Sequence, residues 1–419
     1  MPLTSAAVVF MTSLMALPMS YILNSISHMK NQLLILVSGL FALCVISLIP
    51  WLILRQRLQK VNPIYYVLGL LAYSSVMSLI IALENDGLIA EFMGTYLREG
   101  EPYLKTAHGT MISYWDGIAH YAMYLMMLAA VSWNQTFHDV GLYWVGSYGY
   151  SKLVLVVAAM IGKDGIRWPF LLTIPFVIIC ALMCANFIDE KFKEMQHIQS
   201  DLDEELQKNK AMITTSIWGR PRDLLLFIYF IFAIIVTTIR FSGAMQSNFY
   251  LATLYRESVE PYLTDPSFYS KSQLMVQAFY FIPYYLVNIY ALLNPGQSWF
   301  PASCIIFAGA AAQAQFSLIG SSFHYRTPYL HRVPQTLLAR CLFWFVNGLQ
   351  FLVPQLVANS CLSDSSQHLQ CATSSLSTTS TASQSTRANN NGSLEGLGVG
   401  SRRGSSTNSQ GVGRVMKYE

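Results

Sequence analysis

The run LLILVSGLFALCVISLIPWLIL, from Leu33 to Leu54, carries no charged residue. An α-helix needs about 20 mostly apolar residues to cross the ~30 Å hydrocarbon core of a bilayer, so this stretch alone can span one. Further blocks of similar character flank it: Ser5 to Leu23, Ile64 to Leu83, Met111 to Trp133, Val140 to Ile161 and Trp168 to Phe187. Beyond a polar gap come Leu224 to Ile239, Ser272 to Leu293, Trp299 to Ile319 and Leu337 to Ala358. The composition agrees, since 53% of the 419 residues are hydrophobic and 11% are charged, against about 25% charged in soluble proteins. An ordinary water-soluble enzyme is excluded. The sequence predicts an all-α polytopic membrane protein of about ten transmembrane helices.

Net charge is +4 and scattered, which gives no footprint for nucleic acid. The cysteines lie mostly inside apolar blocks without a C-x-x-C pair, so neither a disulfide framework nor a metal site is expected. No cofactor motif is found: Ile161-Gly-Lys163 lacks the rest of a P-loop, and neither H-E-x-x-H nor G-x-S-x-G occurs. No basic residue precedes Lys30, so the first block reads as a retained span rather than a cleaved signal peptide. Pro18, Pro50, Pro175, Pro283 and Pro354 fall inside predicted helices, where kinks are expected.

Between Ile188 and Arg222 the composition turns charged, with Phe192, Met195, Leu202 and Leu206 at helical spacing, which reads as a solvated amphipathic linker. After Ala358 the chain becomes rich in Ser, Thr, Asn and Gly, too polar to fold on its own. The two halves share a motif. YLREGEPYL at Tyr96 to Leu104 and YRESVEPYL at Tyr255 to Leu263 agree at five of nine positions, and the same offset within a residue pairs Pro63 with Pro221 and Tyr121 with Tyr280. The expected organisation is a two-helix segment (1–59), a four-helix module (60–188), the linker (189–220), a second four-helix module (221–358) and the tail (359–419). Basic loops slightly favour cytosolic termini.

Ionisable groups at membrane depth are costly, so each is a functional candidate. Asp116, His120 and Tyr124 are spaced four apart and would share one face of the fourth helix, with Trp115 and Tyr121 beside them. Glu84 ends the preceding helix and would reach the same level. Two carboxylates, an imidazole and aromatic rings facing an apolar cavity suit a cationic or hydroxylated lipid, or proton transfer. The alternative is that Asp116 and His120 satisfy each other as buried polar glue. Lys152 either pairs with Asp116 or snorkels to the interface, the commoner fate. Trp144, Trp168, Trp299 and Tyr329 fall near predicted boundaries, where aromatic belts form.

The stretches ALENDG (Ala82 to Gly87), YLREGEPYL, YWDGIAHY (Tyr114 to Tyr121), GLYWVG (Gly141 to Gly146), AQAQFS (Ala312 to Ser317) and Arg332-Val-Pro334 resemble the transmembrane 6 superfamily over Ser5 to Ala358. That resemblance implies two EXPERA domains, the four-helix module shared with the emopamil-binding sterol isomerase and the sigma-2 receptor. It implies an endoplasmic reticulum membrane protein, shared with the ER–Golgi intermediate compartment, that handles lipid. Triglyceride-rich lipoprotein secretion, lipid storage and cholesterol homeostasis are the implied processes. Partners would be membrane lipids or sterols and other lipid-metabolism proteins. Glu84, Trp115, Asp116, His120, Tyr121 and Tyr124 are the expected lipid-binding residues. A sterol double-bond isomerase using Glu84, Asp116 and His120 is the alternative; against it, the position one turn before the first acid is Ile80, which cannot exchange a proton. In the second half, Met275 and Phe279 replace the acid and the histidine.

Overall fold

The computed structural model describes residues 5–26, 31–55, 62–162, 165–206, 218, 220–294, 297 and 299–362. Nearly all of the predicted tail and the middle of the predicted linker lie outside these residues. Every regular element among the described residues is helical. In chain order they are α1 (Ser5–Leu14), α2 (Ala16–Ile26), α3 (Gln32–Arg55), α4 (Ile64–Asn85), α5 (Ala107–Trp115), α6 (Tyr121–Ser132) and α7 (His138–Ile161). The chain continues through α8 (Ile174–Leu206), α9 (Pro221–Ala244), α10 (Tyr250–Ser258), α11 (Tyr269–Leu293) and α12 (Phe300–Phe323). A last helix, α13, covers Leu337–Leu362.

Among the described residues, nine helices are long and apolar enough to cross a membrane, α1 and α2 counting together. The remaining predicted span, the fourth in chain order, is the run from Ala107 to Ser132, in which a π-turn at Asp116–His120 separates α5 from α6. Three boundaries differ from those expected. The first span breaks at Met15, because Pro18 has no N–H to offer the turn before it. The seventh runs on past Arg240 to Ala244, since that guanidinium is buried and paired inside the protein. The sixth does not stop at the charged linker but continues as one helix to Leu206, held near its exit by Lys191–Asp139 (2.9 Å) and His138–Glu190 (2.6 Å).

Helices α7 and α12 form the centre. Ala308, Ala310, Ala311, Ala312 and Ala314 on α12 are fully buried, and small side chains allow the close backbone approach that drives packing inside a membrane. At the crossing Gly146 faces the Ile306 carbonyl and Gly309 faces that of Tyr143, and a Cβ at either position would overlap the opposing backbone. Trp144 is therefore not an interfacial belt residue. It is completely buried, and its Nε1 donates to the Tyr124 hydroxyl at 2.7 Å. Trp168 and Tyr329 are exposed.

The two EPYL stretches fold alike. Each begins at a glutamate with nearly the same backbone angles, φ −132° and ψ 74° at Glu101 and φ −130° and ψ 74° at Glu260, and each continues as a short 3-10 turn, Pro102–Lys105 and Pro261–Thr264. Proline supplies the first turn residue, where its missing N–H costs nothing. Around Glu260 the space is filled: Arg240 donates to both of its oxygens at 2.9 and 3.0 Å, and also to Asn347 and Gln350. Around Glu101 the space is open.

Candidate functional site

That opening is a cavity of about 190 Å³ bounded by α2, α3, α4, the loop from Phe92 to Leu104, α5, α7 and the start of α8. Its walls are mainly apolar, with Leu23, Ile35, Leu43, Met77, Ile81, Phe92 and Phe176 among them, while Asp116, Lys152, Glu101, Tyr96, Tyr103 and Tyr148 form a polar end. A pocket with apolar walls and a few convergent polar groups is the usual form of a small-molecule site.

The π-turn places Asp116. Gly117 abuts Leu79 of α4 so closely that a Cβ would overlap it, and Ser75 of α4 donates to the Asp116 carbonyl at 2.8 Å. A carbonyl at the start of the π-turn thus has a partner on the neighbouring helix. The wider turn still brings His120 back over Asp116, with Nδ1 and Oδ1 2.8 Å apart. It also inserts a residue into the helix, which rotates the subsequent residues by about 100° around the axis. Tyr124, two turns on, accepts from Trp144 Nε1 at 2.7 Å in the core.

His120 is fixed from behind. Its Nε2 lies 2.8 Å from Ser147 Oγ, and Trp115 Nε1 donates to that same oxygen at 2.7 Å. The hydroxyl can donate to Nε2 while accepting from Trp115, an arrangement that puts the ring proton on Nδ1, facing Asp116. Aspartate, histidine and serine are thus aligned in the order of a hydrolytic triad. The chemistry runs the other way. Ser147 is completely buried beneath Trp115, and it is the carboxylate that meets the cavity, whereas a hydrolase must present its serine to substrate.

Lys152 pairs with Asp116 rather than snorkelling, Nζ lying 3.3 Å from Oδ2 and 4.7 Å over the Tyr148 ring. Glu101 is buried and accepts from the Tyr96 hydroxyl at 2.7 Å. Burial pushes its carboxyl above the usual carboxylate range, against the opposing pull of Tyr103, Tyr96 and Lys152. Of the residues singled out from the sequence, Asp116 lines the cavity and His120 supports it. Glu84 is turned away, its Oε2 accepting from the backbone N–H groups of Phe92 and Met93. Tyr121 meets Ser13 of α1 at 3.0 Å, and Trp115 holds Ser147. The second carboxyl of the cavity is Glu101, a shared position of the repeated motif that was not among the expected site residues. Among the described residues, no group of three or more His, Cys, Asp or Glu could hold a metal ion.

Comparison with known proteins agrees with this architecture. The family description "Transmembrane 6 superfamily member 2-like, transmembrane domain" matches residues 15–198, and EXPERA (EXPanded EBP superfamily) matches residues 243–361. Transmembrane 6 superfamily member 2 of Mus musculus is 36% identical over 352 residues, covering 84% of this chain and 90% of the relative. The chain belongs to the transmembrane 6 superfamily. The Homo sapiens transmembrane 6 superfamily member 2 is 37% identical over 357 residues, which is 84% of this chain and 91% of that protein. The Rattus norvegicus protein of the same name is 36% identical over the same share of this chain as the mouse protein. No solved structure matches the chain. It is therefore a multi-pass member of this superfamily, with an EXPERA match over its second half and the open cavity in its first.

Proposed function

We propose that this protein binds a sterol or other lipid in the cavity beside Asp116 and regulates lipid metabolism from the endoplasmic reticulum membrane. Lipoprotein secretion, lipid storage and cholesterol balance are the processes proposed, with lipid-metabolism proteins of the same membrane as partners. The two EPYL turns are read as equivalent points of two related four-helix modules, the first keeping its cavity and the second filling it with Arg240. One observation carries this reading: transmembrane helices enclose an apolar chamber ending in the Asp116–Lys152 pair and Glu101. Such a chamber takes a lipid's body in its walls and its head at the polar end.

The test is retention of a labelled sterol by the purified protein and by Asp116→Asn. A hydrogen bond to a charged group contributes about 1.5–3 kcal/mol, so the variant should bind roughly 10- to 100-fold more weakly. Equal retention by both proteins would remove the site from beside Asp116. A second reading, the sterol isomerase using Glu84, Asp116 and His120, draws support from the 2.8 Å Asp116–His120 contact. Two observations weigh against it. Glu84 is held by backbone N–H groups and does not line the cavity, and the Lys152 ammonium opposes the positive charge that grows when a ring double bond takes a proton.

A further inference from the structure

The polar end of the cavity already contains a cation. Lys152 is the single charged residue in the block from Val140 to Ile161. It lies nine residues before the end of α7, or about 13 Å along the axis at 1.5 Å per residue. That is further than a lysine side chain extends, so its ammonium stays at the cavity, 3.3 Å from Asp116 Oδ2. A lipid ammonium entering to pair with Asp116 would compete with Lys152 for the same carboxylate and stand beside a like charge. A lipid carboxylate would face the like charge of Asp116, with which Lys152 is already paired. A hydroxyl meets neither obstacle. It can donate to a carboxylate oxygen and accept from one of the N–H groups that Lys152 does not direct at Asp116.

We propose that Lys152 sets the head-group specificity of this cavity: as the resident counter-cation of Asp116, it makes the site select lipids with an uncharged hydroxyl and exclude those with an ammonium. The inference rests on the lipid-binding reading above and adds the chemical class of the ligand.

The probes are two sterols with the same ring system and tail, one carrying a 3-hydroxyl and the other a 3-amine, bound to purified full-length protein in detergent. Wild type should hold the hydroxyl sterol at least about tenfold more tightly than the amine. Lys152→Met should reverse the order, because Asp116 then lacks its cation and the entering ammonium supplies one. Asp116→Asn combined with Lys152→Met should gain no affinity for the amine. Equal binding of both sterols by wild type, unchanged in Lys152→Met, would overturn the specificity role and leave lipid binding intact. Amine affinity gained by the double variant would also overturn it, because the amine would then not be reading Asp116. If wild type holds neither sterol, the lipid-binding reading fails and this inference with it. Should Lys152→Met not fold, the wild-type preference and the double variant still decide the matter.

Discussion

Replacing Arg240 by methionine should destabilise the second half of the protein severely, and removing its partner as well should restore much of the loss. Arg240 is completely buried, and Glu260 is 2% exposed. The guanidinium donates to both Glu260 oxygens, to Asn347 at 2.9 Å and to Gln350. Glu260 Oε1 accepts further from Asn347 at 2.8 Å. Removing one member of such a pair strands the other charge away from water, a change that costs about 3–5 kcal/mol. At roughly 2–4 °C per kcal/mol for a unit of 150–250 residues, the melting temperature should fall by roughly 6–20 °C. Arg240→Met with Glu260→Gln removes the stranded charge yet keeps an amide that Asn347 can still reach. The two changes should therefore be non-additive by about 2 kcal/mol or more. Thermal unfolding of the detergent-purified variants, followed by tryptophan fluorescence, reads both quantities. A single variant as stable as wild type, or a double variant whose loss equals the sum of the two single losses, would refute this account of the filled site.

Other perturbations separate packing from chemistry. Gly146→Leu should lower stability by about 1–3 kcal/mol through overlap with the Ile306 carbonyl. Gly149→Ala, three residues along the same helix with open space beside it, should be neutral or slightly stabilising in the same melt. Glu101→Gln should flatten the pH dependence of stability. The folded-state pKa of Glu101 is raised by burial, so its contribution is fully present below the ordinary carboxylate range and lost as pH rises through the folded value. The variant should consequently gain on wild type as pH increases, in melts collected across that interval, and parallel pH curves would contradict the assignment.

Much of this molecule was legible in its apolar blocks. Each of the ten predicted segments has a helical counterpart, because the length needed to cross a bilayer is a physical constant that the sequence must meet. Asp116 was visible as a charge where charge is costly. The π-turn was not, since it depends on α4 offering Ser75 and a close seat at Leu79. Lys152 misled because lone lysines near membrane helix ends commonly snorkel. Its distance from either end of α7 is the signal that it needs a partner inside. Glu101 offered a quieter signal, a glutamate common to two otherwise divergent motifs, and only the fold shows one copy facing an open cavity while the other is filled by arginine. Trp144 looked interfacial because GLYWVG lies near a predicted boundary, yet α7 begins at His138 and carries it into the core.

The most direct test is mass spectrometry of a ring-unsaturated sterol recovered from purified wild-type protein and from Asp116→Asn. The structure predicts sterol retained by the wild type with its double bond unmoved, and retention lost in the variant. A product with a shifted double bond, formed by wild type alone, would contradict a binding role and make Asp116 a catalytic acid.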